Sequence, residues 1–84
     1  MSYNGFVNYA TWCAKLWLDN DYEEYKYWTE MARRYPDPYE LANQLEEHFT
    51  EAMPDVDNGL FTDLMQSAFD QIDWLEVAES LLED

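Results

Sequence analysis

The sequence predicts an all-α fold, a compact bundle of about five short helices, and three observations predict it. Apolar residues recur at three- and four-residue spacing along most of the chain, the period of an amphipathic helix. Helix-start residues stand ahead of these runs at Asn8, Asp21, Asp37 and Asp73. No segment shows the apolar–polar alternation of a half-buried strand.

Asn8 caps the first helix, in which Tyr9, Trp12, Cys13 and Leu16 form the expected inward stripe, and which ends near Leu18. Asp19-Asn20-Asp21 breaks it. Asp21 with Glu24 fits a capping box for the second helix. There Tyr22, Tyr25, Trp28, Ala32 and Tyr35 are apolar, and Arg33 and Arg34 suit the negative end of the dipole. Pro36-Asp37-Pro38 is the sharpest break. Asp37 caps, Pro38 takes the first helical position and Glu40 completes a second box. The third helix is expected to bury Leu41, Ala42, Leu45, Phe49 and Ala52, and Pro54 stops it. Residues 54–59 read as a loop. A fourth helix turns Leu60, Phe61, Leu64, Ala68 and Phe69 inward. Asp73 and Glu76 make a third box for a fifth helix, with Trp74, Val77, Ala78, Leu81 and Leu82 inward. Met1–Val7 is expected to be irregular or briefly extended.

Residues 1–84 suit one small domain, whose stability is marginal at this size. Fifteen aromatics supply a dense core. High net charge favours disorder in general, but acidic disordered tails lack aromatics and periodicity, and this chain has both. Cys13 is the one cysteine, so no intrachain disulfide forms; a core thiol is expected. No signal peptide and no membrane-length apolar run is visible, which points to a cytoplasmic protein.

Charge is distributed unevenly. The four basic residues, Lys15, Lys26, Arg33 and Arg34, all lie in the first 34 positions, against five acids there. Residues 35–84 hold 14 Asp or Glu and no Lys or Arg, within a net charge of −15. That sign argues against direct binding of nucleic acid or anionic membranes. It favours a strongly basic partner. Once the apolar faces are assigned, the acids fall opposite them. Glu40, Glu47 and Glu51 share a face of the third helix, Asp63 and Asp70 one of the fourth, and Glu76, Glu79 and Glu83 one of the fifth. Asp55 and Asp57 add charge from the loop, and Asp73 from the last cap. These eleven residues are the candidate partner contacts. Rigid helical carboxylates can take the place of DNA phosphates in a Lys- and Arg-lined groove. The bland alternative is an acidic surface kept for solubility.

Other constellations carry less. In Asp55-x-Asp57-x-Gly59, setting Gly59 at the sixth position of a calcium loop leaves Pro54, Val56 and Met65 where ligands belong. His48, beside Glu47 and a turn from Glu51, is a lone histidine without a cysteine pair. No glycine-rich phosphate loop exists, and no nucleophile motif surrounds Ser2, Ser67 or Ser80. An acyl carrier reading fails because Ser67 sits in mid-helix, in Gln66-Ser67-Ala68. No catalytic residue, metal or cofactor is expected.

The segment Asn8-Tyr9-Ala10-Thr11-Trp12, then Leu16-Trp17-Leu18-Asp19-Asn20-Asp21, resembles a pattern of small acidic proteins from phages and mobile elements. The resemblance implies a phage or plasmid origin. Proteins of that kind include antirestriction proteins and anti-CRISPRs, several of them DNA mimics. It transfers no functional residue. Trp12 and Trp17 are expected in the core, while Tyr22, Tyr27 and Tyr39 are candidates for an exposed contact patch.

The resulting expectation is a non-enzymatic inhibitor that imitates DNA on the basic surface of a bacterial defence complex inside the host cell. A CRISPR effector is the first choice and a restriction enzyme the second. The alternative is an acidic adaptor or antitoxin that binds a basic protein without blocking DNA. A monomer is expected, or a dimer if an aromatic face stays exposed.

Overall fold

The computed structural model describes residues 3–55 and 59–83. It is all-α, with α1 at Tyr9–Asn20, α2 at Tyr22–Arg34, α3 at Pro38–Ala52, α4 at Gly59–Asp70 and α5 at Trp74–Glu83. The helix starts follow from the caps. Asn8 Oδ1 accepts from the Thr11 N–H at 2.9 Å, and Asp37 Oδ1 from Tyr39 N–H at 2.9 Å with Pro38 opening α3. Asp21 is the whole link between α1 and α2. Its N–H closes α1 on Trp17 O at 3.2 Å, and its carboxylate accepts from the N–H groups of Glu23 and Glu24. α1 thus runs to Asn20, two residues past the expected end, because the break needs only this one residue.

α5 is the centre of the bundle, packed against α1, α2 and α3. Val77 and Ala78 are fully buried, and Leu81 nearly so. α3 answers with Leu41 and Leu45, α2 with Trp28 and Ala32, α1 with Leu18. Phe49 and Trp74 stack nearly parallel, with centroids 5.5 Å apart, where α3 meets α5. Burying side chains of this size contributes about 1.5–3 kcal/mol each.

The inward faces of two helices differ from expectation. On α1 the buried residues are Thr11, Lys15 and Leu18, with Ala14 against the core. The stripe of Tyr9, Trp12, Cys13 and Leu16 is rotated away: Tyr9 is exposed and Cys13 only half-buried. Thr11 and Lys15 read as polar, yet both fit inside. The Thr11 hydroxyl is hydrogen-bonded. The Lys15 side chain is almost wholly enclosed, its stem packed and its ammonium ion-paired to Asp19 Oδ2 at 2.7 Å. Trp17 is not a core residue; it is 67% exposed.

On α4 no residue is fully buried. Leu60, Phe61, Leu64 and Ala68 face solvent. Phe69 touches Trp74 with ring centroids 5.6 Å apart, and with Ile72 it ties this helix to the core. The periodicity is amphipathic, but among the described residues no helix packs closely over that face. Lesser departures are Tyr25 and Ala52, both expected inside and both exposed. Residues 3–6, expected to be irregular or briefly extended, form a tight turn closed by an isolated bridge. Tyr3 and Phe6 exchange two backbone hydrogen bonds around Asn4 and Gly5, both at positive φ, the arrangement that favours an Asn-Gly turn. Tyr3, Tyr9 and Trp12 then cluster, with centroids 4.9–5.6 Å apart.

Candidate partner-binding surface

α3 and α5 lie side by side, and neither contains a Lys or Arg. On α3 Glu40, Glu47 and Glu51 are exposed, together with Glu46; on α5 Glu79 and Glu83 are exposed. Apolar residues one turn apart fix each helix inward, so the intervening acids must point out. At 1.5 Å per residue the row from Glu40 to Glu51 is about 16 Å long, the axial length of roughly five phosphates on one DNA strand. Asp55 is exposed just beyond α3. Asp63 and Asp70 are exposed on α4, which packs loosely and stands apart from the α3–α5 pair. Asp57 lies outside the described residues.

The ten candidate acids among the described residues separate into two groups. Asp73 caps α5 by accepting from the Glu76 N–H at 3.2 Å. Glu76 is half-buried, and its Oε1 accepts from the Val7 N–H at 2.8 Å. Asp70 accepts from Gln66 Nε2 at 2.8 Å. These three side chains are engaged within the protein. Among the described residues the side chains of Glu40, Glu47, Glu51, Asp55, Asp63, Glu79 and Glu83 make no hydrogen bond or ion pair. The spacing on α5 misleads at Glu76, because the segment before α1 folds back over it.

The three capping boxes explain part of this. In each, the Asp caps, but the Glu side chain at the third position is free to work elsewhere. Glu24 accepts from Trp28 Nε1 at 2.9 Å and lies 3.7 Å from His48 Nε2. His48 rests edge-on against Trp28 and Phe49 at the α2–α3 seam. Among the described residues no group of three or more His, Cys, Asp or Glu is arranged to hold a metal. The calcium-loop pattern falls partly outside the described residues.

Two further features went unread in the sequence. The first is a clasp. Asp73 N–H donates to Thr11 Oγ1, Thr11 Oγ1 donates to Asn8 Oδ1 at 2.7 Å, and Asn8 Nδ2 donates to Gln71 O at 2.8 Å. The Asn and Thr of the Asn-Tyr-x-Thr-Trp segment therefore join the start of α1 to the start of α5. The second is an open apolar groove of about 520 Å³ where α1, α3 and α4 end. Trp17, Met53 and Met65 line it, and Phe49, Phe69 and Trp74 form its inner wall. Tyr22, Tyr27 and Tyr39 are exposed, as expected for a contact patch.

No helix among the described residues is long and apolar enough to cross a membrane. No curated protein and no solved structure matches the chain. One family model does match, over residues 1–83, so the chain belongs to DUF7249, a family of unknown function.

Proposed function

We propose that this protein is a non-enzymatic inhibitor that occupies the basic DNA-binding surface of a bacterial defence complex by presenting carboxylates in place of phosphates. The observation that carries the reading is the α3–α5 pair: two helices in close contact, without a Lys or Arg on either, whose exposed Glu40, Glu47, Glu51, Glu79 and Glu83 have no hydrogen-bond or ion-pair partner among the described residues. A disordered acidic tail would lose much of its binding energy in ordering. Here the helices are already fixed by the core, so the carboxylates arrive in place. Binding would release the counterions that DNA releases and would weaken steeply with salt. The attraction also speeds encounter. The resemblance of residues 8–21 to mobile-element proteins favours a phage or plasmid source. On that ground a CRISPR effector is the first target to examine and a restriction enzyme the second.

The test is capture from a bacterial lysate at low salt, elution by a salt gradient, and competition of the captured complex with duplex DNA. The wild type should displace DNA. The triple variant Glu40→Lys, Glu47→Lys, Glu51→Lys should not, while keeping its helical circular dichroism. If reversal on both α3 and α5 leaves displacement intact, mimicry is wrong. A target that is bound while its DNA stays in place would instead identify an acidic adaptor.

A further inference from the structure

We propose that the groove at the ends of α1, α3 and α4 seats a basic amphipathic helix of a partner protein, a contact separate from the acids of α3 and α5 and not dependent on the DNA-mimic reading. Its floor and walls are apolar: Leu18, Phe49, Met53, Met65, Phe69 and Trp74. A volume of about 520 Å³ lies within the roughly 300–1,000 Å³ typical of ligand sites, enough for the anchor side chains of a helix laid in a groove. Met53 and Met65 are unbranched and adjust to differing anchors. Trp17, 67% exposed at the edge, adds a large surface that the fold itself leaves uncovered.

Charge selects the occupant. Asp21 and Glu24 stand on the rim, and no Lys or Arg lines the groove. The last turns of α1, α3 and α4 converge here, and none of them carries a basic residue. Their carbonyl ends therefore contribute uncompensated partial negative charge. α2 and α5 begin at the same place, but Asp21 and Asp73 already occupy their positive ends. The site as a whole is an apolar trough with a negative edge. It suits Leu or Phe anchors at i, i+3, i+4 and i+7 with Lys or Arg beside them. A second copy of this chain, at a net charge of −15, would bring two negative edges together. A fatty acid would bring its carboxylate to the same edge.

A synthetic Leu/Lys peptide with leucines at i, i+3, i+4 and i+7 probes this directly by titration against the whole protein, followed by tryptophan fluorescence and amide chemical shifts. It should bind about tenfold more tightly than a scrambled peptide of equal composition, the equivalent of one buried anchor. Shifts should centre on Trp17, Met53 and Met65, not on Glu79. Ala52→Trp fills the groove from an exposed position, and Met65→Glu makes it polar while adding negative charge. Each should weaken the amphipathic peptide about tenfold with helicity kept, and Met65→Glu should leave or strengthen the scrambled one. The proposal is overturned if scrambled and amphipathic peptides bind alike, if a Leu/Glu peptide binds as well, if neither substitution matters, or if sedimentation shows the groove closed by a second copy.

Discussion

The backbone N–H of Asp73 donates to the Thr11 hydroxyl at 2.9 Å, joining positions 62 residues apart. Thr11 is fully buried, and its hydroxyl in turn donates to Asn8 Oδ1. Thr11→Val keeps the shape and removes both bonds, leaving the Asp73 N–H without its acceptor. The expected cost is about 1–3 kcal/mol. At roughly 4–8 °C per kcal/mol for a domain of this size, the loss is visible in a thermal melt. Thr11→Ser keeps the hydroxyl and should sit closer to wild type. Equal melting of the Val variant and wild type would deny the clasp any energetic role.

Asp21 ends one helix and starts the next. Asp21→Ala removes the acceptor of two N–H groups and should cost about 1 kcal/mol. Urea unfolding should show a lower midpoint with an unchanged slope, because the exposed area does not change.

The four tryptophans should differ sharply. Trp28 is buried at the α2–α3–α5 junction, and Trp28→Ala should cost about 3–5 kcal/mol, enough to unfold a domain this small. Trp17→Ala, on the surface, should stay within about 0.5 kcal/mol of wild type and remove much of the acrylamide-quenchable emission. A Trp17→Ala protein that fails to fold would contradict its placement.

Salt should stabilise the fold. Residues 35–84 carry 14 acids without a Lys or Arg, inside a molecule whose radius of gyration is 13.0 Å. Charges at such distances repel at low salt and are largely screened once the Debye length falls to about 10 Å at 0.1 M. The urea midpoint should rise between about 0.01 and 0.1 M NaCl. A midpoint that falls would show that attractive pairs such as Lys15–Asp19 outweigh the repulsion.

Much of the fold is legible in the sequence because caps and breaks are local. Asn8, Asp21, Asp37, Pro38 and Asp73 mark helix starts whatever the tertiary structure does. The inward faces of α3 and α5 are legible too, since their apolar residues have no rival stripe. α1 has two candidate stripes, and the one containing Thr11 and Lys15 wins only because Asn8, Asp73 and Asp19 satisfy their polar atoms. α4 shows the limit of periodicity: it identifies an apolar face without saying whether anything covers it. The Asn4-Gly5 turn was readable from that dipeptide alone. Of the candidate surface, the outward acids of α3 follow from spacing. The employment of Glu76 and Asp73 depends on contacts with residues 7 and 11, which no local pattern encodes.

The central position of α5 has a consequence for synthesis. α1, α2 and α3 are all made before the helix that fills the space among them. Between the end of α3 at Ala52 and the end of α5 at Glu83, translation at about 5–20 residues per second takes on the order of seconds. During that interval Leu41 and Leu45 lack the cover that α5 gives them, and the nascent chain holds apolar surface open. Only α5 joins α1, α2 and α3 into one core, so that core is complete only once α5 is made.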